Sequence, residues 1–160
     1  CRNHQWRADL LQSWADMASK EGMGSVGKEA ARWMIGPRSF RRILPALGSI
    51  GPLQLFNPAN AFVSQVQAIL TTDDRSLNAD LGNIECPTMV VVGNQDILTP
   101  RGDAEEIASL IPTAELVIIS GGAHGLHIEH ATTFNRILLE FLGRAEKVFV
   151  PHGHAAAVAV

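Results

Sequence analysis

Two side chains in the second half of the chain have the types and the setting needed for proton transfer. Asp96 follows the apolar run 88–92 by a short loop, and His124 lies in the glycine-rich segment Gly121–Gly125. A neutral imidazole can remove the proton of an alcohol nucleophile if a carboxylate holds the ring in one tautomer and stabilises the imidazolium that forms. We therefore predict that His124 acts as a base and that Asp96 orients it.

Two predicted strands must place these loops beside each other. The β-branched run 88–92 is typical of a strand buried on both faces, and 115–119 is predicted as a second strand. Thr99-Pro100 and Pro112 bound a helix between them. A strand, helix and strand of this length form a right-handed parallel unit whose loops meet at one edge of the sheet. Asp96 could be a plain turn residue and His124 a plain loop residue, but their joint placement favours a functional pair.

The other predicted elements are helices, indicated by apolar residues at steps of three and four. One helix covers 6–18, a second begins near Lys28, and Gly36-Pro37 ends it. The stretch that follows is predicted as loop or short helical turns, after which Asn57-Pro58 caps a third helix. The last helix of the chain is predicted to close near Gly143.

The composition is that of a folded globular chain with no large excess of either charge. Of 160 residues, 46% are hydrophobic and 18% are charged, and the net charge is -3. This balance leaves no basic surplus for nucleic acid or an anionic membrane surface, and no apolar run approaches the roughly 20 residues of a membrane-spanning helix. Cys1 and Cys86 are too few for a disulfide framework, which favours a cytoplasmic location. Cys86 is predicted as a small buried residue at a strand entry.

The two loops together resemble those of the α/β-hydrolases. The segment Ile84–Pro100, which reads IECPTMVVVGNQDILTP, is similar to the strand and acid loop that follow the lid in that family. The segment Gly121–Gly125, with Glu129 and Phe134 beyond it, is similar to the family's histidine loop and closing helix. The resemblance covers 83–144 closely, whereas 6–80 is similar to the family's helical lid only in general character.

The resemblance implies a fold class and a reaction. The fold is α/β, the C-terminal portion of an α/β-hydrolase fold in which a helical lid precedes a parallel strand-helix-strand-helix unit. The predicted domains are a helical lid over 1–80, the C-terminal part of the hydrolase core over 81–146, and a disordered tail over 147–160. The implied activity is hydrolysis of an ester, a lactone or a C–C bond in a small apolar carbonyl substrate, with no cofactor and no metal. The oligomeric state stays open.

The chain departs from the family's pattern at the nucleophile. In α/β-hydrolases the nucleophile precedes the acid, on a Gly-x-Ser-x-Gly elbow between a strand and a helix. Ser25 and Ser49 lack the first glycine of that pattern and follow no predicted strand. The donors of the oxyanion hole, which lie near the elbow and on an earlier strand, are missing as well. With the initial Cys1 and an uncovered strand edge, this indicates a truncated enzyme that is unstable and inactive alone. The nucleophile could be Ser, Asp or Cys.

Other interpretations stay open. The chain could be a non-catalytic hydrolase-like remnant that uses its lid helices as an interaction surface. His124, His127 and His130 could bind a metal, although histidines on a helix surface are the favoured interpretation of the last two. Large apolar residues of the lid could line a substrate pocket, but more often such residues form a lid's own core. They are Trp6, Trp14, Met17, Trp33, Met34, Phe40, Phe56 and Phe62.

Overall fold

The computed structural model of the chain describes residues 4–42, 58–72 and 78–148. Predictions about Ser49, Phe56, most of the stretch before Pro58 and the tail beyond 148 lie outside these ranges. The described helices are α1 (Gln5–Glu21), α2 (Met23–Met34), α3 (Ala59–Thr71), α4 (Arg101–Leu110), α5 (Leu126–Glu129) and α6 (Ala131–Val148), and the strands are β1 (Thr88–Gly93) and β2 (Ala114–Ile119). Residues 37–42 and 78–80 are also helical, and Leu81–Asn83 forms a 3-10 turn.

The two strands form a parallel pair, as the sequence predicts. Their register runs from Thr88 opposite Ala114 to Gly93 opposite Ile119, so both strands end at the same edge. Helix α4 connects them and packs against both. The order strand, helix, strand, helix from Thr88 onward is therefore confirmed, and the loops that carry Asp96 and His124 leave one edge of the sheet.

The second helix begins earlier than the sequence pattern indicates. It starts at Met23 and not near Lys28. Gly22 separates it from α1 with a backbone φ of 86°, in the left-handed region that favours glycine. The amide of Gly22 donates to Ala18 O, and its carbonyl accepts the amide of Ser25. This single glycine therefore ends one helix and starts the next, so the two helices form a close pair.

The last helix continues past the glycine at which we predicted its end. Helix α6 runs through Gly143 to Val148, and in the described ranges only Gly22 and Gly121 have positive φ. Gly143 therefore keeps a helical backbone instead of forming a left-handed cap. Arg144 Nη2 donates to Glu115 Oε1 at 2.5 Å, which ties the end of α6 to β2. Although α6 is long, no helix in the described part of the chain has the length and apolar character needed to cross a membrane.

The helices before the sheet share an apolar core that includes one residue of the acid loop. Leu98 is buried with residues of α1 and α2, and Met17, Trp33 and Phe62 pack against this cluster. The other buried members are Trp14, Ala18, Val26 and Ala30. Seven of the large apolar side chains predicted for the lid lie in the described ranges. Four of them belong to this core or pack against it, whereas Trp6 and Met34 are exposed.

An ion pair fixes the first helix to the helix between the strands. Arg7 Nη2 lies 2.5 Å from Asp103 Oδ2, and both side chains are almost entirely shielded from solvent. His4 Nε2 lies 3.9 Å from the other carboxylate oxygen. Loss of one partner of a buried pair leaves an uncompensated charge, which typically costs several kcal/mol. Leu98 and this pair therefore join the helical segment to the sheet unit at two places.

Truncation of Leu98 should destabilise the protein far more than truncation of an exposed leucine. Leu98 is 8% exposed, whereas Leu139 on α6 is 68% exposed. We expect Leu98→Ala to lower the free energy of unfolding by about 2–5 kcal/mol, because a cavity forms where the acid loop enters the helical core. Leu139→Ala should change it by about 0.5 kcal/mol or less. Urea unfolding of both variants measures the difference, and equal values would contradict the assigned burial.

Candidate active site

One oxygen of Asp96 builds the turn that follows β1. Asp96 Oδ1 accepts hydrogen bonds from the backbone amides of Leu98 and Thr99, both at 2.9 Å. The amide of Asp96 itself donates to Gly93 O at 3.1 Å. Asp96 is therefore a turn residue, as the simpler interpretation proposed, but this role uses only Oδ1.

The other oxygen of Asp96 faces the histidine. His124 Nδ1 lies 3.0 Å from Asp96 Oδ2. The hydroxyl of Thr99 donates to the same oxygen at 2.8 Å and lies 3.2 Å from His124 Nδ1. The Thr99 side chain bonds to Asp96 and does not cap the following helix, whose N-cap position is taken by Pro100. Backbone amides thus hold Oδ1 and the Thr99 hydroxyl holds Oδ2, while Oδ2 also faces the imidazole.

Glycines allow the two loops to approach each other closely. A Cβ atom on Gly93 would lie 2.1 Å from Gly122 O, so no larger residue fits at the end of β1. Gly122 O accepts the amide of Gln95 at 2.9 Å, and the amide of Gly121 donates to Asn94 Oδ1 at 2.7 Å. Gly121 has a φ of 80°. These contacts fix the acid loop and the histidine loop against each other.

The surroundings of the pair favour a charged acid and a basic imidazole. Burial raises the pKa of Asp96, but hydrogen bonds with His124 and Thr99 outweigh it and hold the pKa below its ordinary value of 3.8. The hydrogen bond with Asp96 raises the pKa of His124 above its ordinary 6.5, against the opposing effect of burial. The Asp96 side chain is 4% exposed and that of His124 is 36% exposed. His124 Nδ1 is thus engaged, and Nε2 is the nitrogen left to exchange a proton with a reacting group.

A second buried acid, whose role the sequence pattern did not predict, supports the histidine loop. Glu129 Oε1 accepts the amide of Ala123, and Glu129 Oε2 accepts the amide of Gly36, both at 3.0 Å. Glu129 is 6% exposed. The sequence carried one signal for this role. Glu129 is an acid that closely follows a glycine-rich loop, and such an acid can bind the backbone amides of the loop.

The described histidines do not assemble into a metal site. His127 is exposed and lies edge-on to Phe134, with ring centroids 6.2 Å apart. The ring of His130 packs beside Gly121. Within the described ranges no three His, Cys, Asp or Glu side chains group as metal ligands. His124 Nδ1 instead faces Asp96 and Thr99.

The remaining candidate nucleophiles are not placed like an elbow. Ser25 lies in the first turn of α2, where its amide bonds to Gly22 O, and the described element before it is helix α1 rather than a strand. The prediction that Cys86 is buried was wrong, because its side chain is exposed. Its backbone carbonyl accepts the hydroxyls of Thr88 and Thr113, so this loop is held by its backbone and the thiol points outward.

Comparison with known proteins finds a matching family model and several sequence relatives. The family model of the α/β hydrolase fold matches residues 52–131. RutD of Stutzerimonas stutzeri, named as a carbamate hydrolase, is 30% identical over 87 residues, which make up 54% of this chain and 32% of that protein. The serine hydrolase BPHL of Mus musculus is 36% identical over 59 residues, or 37% of this chain and 20% of that protein. The chain thus spans about a third or less of these curated relatives.

Solved structures match over a larger part of the chain. The enol-lactonase from Burkholderia xenovorans LB400 has a TM-score of 0.74 at 22% identity and covers 84% of this chain and 50% of its own. The α/β hydrolase MGS-M2 from a deep-sea metagenome library has a TM-score of 0.77 at 20% identity and covers 96% and 55%. A thermophilic esterase from Thermogutta terrifontis has a TM-score of 0.74 at 21% identity and covers 89% and 52%. At these identities the likeness shows the fold.

Proposed function

Because this chain belongs to the α/β-hydrolase fold family, we propose that it supplies the acid and the base of a hydrolase for small apolar carbonyl substrates. Asp96 is the orienting acid and His124 the base. The observation that carries this proposal is the 3.0 Å contact between Asp96 Oδ2 and His124 Nδ1 at the edge where both strands end. Substrate classes that fit the proposal are carboxylic esters, lactones and C–C bonds next to a carbonyl group.

The proposed chemistry uses both ring nitrogens of His124. Nδ1–H donates to Asp96, so Nε2 accepts the proton of an alcohol or thiol nucleophile in the first step. A carboxylate nucleophile needs no such transfer, and Nε2 then acts only on the water of the second step. The carboxylate of Asp96 stabilises the imidazolium while the nucleophile attacks the carbonyl carbon. The imidazolium then gives its proton to the leaving group, and a water molecule, deprotonated by the same nitrogen, cleaves the covalent intermediate. The acid and base are therefore regenerated at the end of each cycle.

We place the nucleophile and the oxyanion hole outside the printed sequence. Three observations support this: the 160 residues contain no Gly-x-Ser-x-Gly elbow, the matched relatives are about three times as long as the matched segment, and β1 pairs only with β2 among the described strands. An uncovered edge on a central strand is a hazard that proteins seldom leave exposed. Expressed alone, the chain should therefore be inactive and poorly stable.

The division into domains is part of the same proposal. A helical lid over 1–80 is supported by the apolar core that α1, α2 and Leu98 share, and 81–146 forms the C-terminal part of the core. Helix α6 extends two residues into the region predicted as tail. A cytoplasmic location is proposed because two separated cysteines do not suit a disulfide framework. The names of the carbamate hydrolase and the enol-lactonase describe those proteins, but they suggest carbamates and lactones as test substrates.

The proposal is tested with the gene product that contains this sequence and, in parallel, with the 160-residue chain alone. A panel of short p-nitrophenyl esters, γ-lactones and alkyl carbamates is assayed with both proteins. We expect hydrolysis by the longer protein only. A single turnover in H2(18)O, followed by peptide mass spectrometry, separates an aspartate nucleophile, which acquires 18O, from a serine or cysteine nucleophile, which does not.

Two outcomes would contradict the proposal. Turnover by the chain alone, or a covalent intermediate on one of its residues, would show that the nucleophile lies within the printed sequence. Absence of hydrolysis across the panel by a folded longer protein would favour the alternative, a hydrolase-like remnant that acts as an interaction module.

A further inference from the structure

Glu129 is a buried carboxylate that the proposed proton transfer does not use. Its two oxygens bind amides from two distant segments: Ala123, the residue before His124, and Gly36, just beyond the end of α2. Gly36 and Glu129 are 93 positions apart in the sequence. A carboxylate that accepts two backbone N–H groups in a buried setting makes strong, charge-assisted hydrogen bonds. Glu129 therefore links the end of the second helix to the histidine loop.

The residue on the other side of His124 is held by the same segment. The amide of Gly125 donates to Met34 O at 2.6 Å. Arg42 Nη2 also reaches Glu129 O, at 3.4 Å. The backbone before His124 is thus fixed through Glu129, and the backbone after it is fixed by Met34.

The contact between the segment 34–36 and the histidine loop leaves little free space. A Cβ on Gly36 would lie 3.1 Å from Glu129 Oε2 and 3.4 Å from Gln95 Oε1, and a Cβ on Gly125 would lie 3.1 Å from Met34 O. The two separations of 3.1 Å are tighter than ordinary van der Waals contact. Small displacements of the segment 34–36 are therefore passed directly to the histidine loop.

We propose that Glu129 is a positioning residue for His124, which holds the imidazole at hydrogen-bonding distance from Asp96 by fixing the histidine loop to the segment 34–36. The effect on turnover rests on the proposed function, but the effect on the Asp96–His124 contact does not. The groups that face the imidazole are the carboxylate of Asp96 and the hydroxyl of Thr99. Glu129 acts on the ring through the backbone of Ala123.

The test uses Glu129→Gln in the longer gene product, with Glu140→Gln as the matched control. Glu140 is exposed on α6, and its partner among the described residues is Arg136, one turn away. A glutamine at 129 would turn an NH2 donor toward one of the two backbone amides, so one contact is lost while the shape is kept. We expect kcat to fall about 10- to 100-fold with KM within about twofold, because the ring is displaced from its working position. The control should match the wild type.

An NMR titration of 13C-labelled histidine tests the same idea without any turnover. In Glu129→Gln the pKa of His124 should fall, since a longer Nδ1 to Oδ2 distance weakens the hydrogen bond that raises it. Gly36 does not have a left-handed backbone φ, so alanine is compatible with its backbone conformation. Gly36→Ala should lower the pKa of His124 as well, because the added Cβ displaces the segment 34–36. This second variant decides the matter if Glu129→Gln does not fold.

Several results would overturn the proposal. A folded variant in which both kcat and the His124 titration equal those of the wild type would do so. A lower melting temperature with an unchanged His124 titration would likewise assign Glu129 a structural role only. If the wild type hydrolyses no substrate, the proposed function fails, but a shifted titration in the variants still supports the positioning role.

Discussion

Replacing His124 with alanine should lower kcat for ester or lactone hydrolysis by about 10⁴- to 10⁶-fold. The variant removes the group that we assign to taking the nucleophile's proton, and Asp96 then has no imidazole to orient. Because the imidazole is assigned to proton transfer, we expect KM to change far less than kcat. Steady-state kinetics of the longer gene product at saturating substrate measure the loss, and circular dichroism checks the fold.

A matched control and a rescue separate this effect from unfolding. His127 lies three positions away, is exposed and contacts Phe134, so His127→Ala should leave kcat within about twofold of the wild type. Added imidazole should restore part of the activity of His124→Ala, since the missing ring leaves a space beside Asp96. Equal turnover by the two variants would contradict the assignment of the base.

The neighbouring positions of Asp96 and His124 were predictable from local signals. A β-branched run, a glycine and an acid indicate a strand and the turn after it, and the parallel pairing then determines which loops meet. The structure brings the two side chains to 3.0 Å as this reasoning requires. The direction of the chain and the order of its elements were sufficient, because the carboxyl ends of parallel strands lie at one edge.

The roles of Leu98 and Glu129 were not predictable in the same way. Leu98 is buried by α1 and α2, and Glu129 binds Gly36, so both roles depend on contacts across most of the chain. Periodicity reports which face of an element is apolar, but not which distant element covers it. The prediction for Cys86 was wrong for a related reason. Its residue type suggested burial, but the conformation of its loop leaves the side chain exposed.

Replacing Asp96 with asparagine should lower kcat by about 10⁴-fold without disrupting the turn. The amide oxygen can still accept the amides of Leu98 and Thr99, which the carboxylate binds through Oδ1. The amide nitrogen then faces His124 Nδ1 as a donor. The neutral ring must present Nδ1 as an acceptor and carry its proton on Nε2, so Nε2 can no longer take the nucleophile's proton.

The same substitution should change the pH dependence of catalysis. In the wild type kcat/KM rises as His124 loses its proton, and because the Asp96 hydrogen bond raises the pKa, this limb lies above pH 6.5. In Asp96→Asn the largest cause of the upward shift is gone, while burial, which lowers the pKa, remains. The residual activity of the variant should therefore begin to rise at lower pH. Profiles of kcat/KM from about pH 5 to about pH 9 measure the ascending limb of the wild type and that of the variant.

Stability should follow the charges of the pair. The raised pKa of His124 means that its contribution is fully present below pH 6.5 and is lost as the pH rises through the pKa of the folded state. The lowered pKa of Asp96 means that its contribution is present above pH 3.8 and is lost as the pH falls through the pKa of the folded state. The difference in unfolding free energy between the wild type and Asp96→Asn should therefore be largest between pH 3.8 and pH 6.5. A difference that stays constant from acid to neutral pH would show that the two groups do not interact as a charged pair.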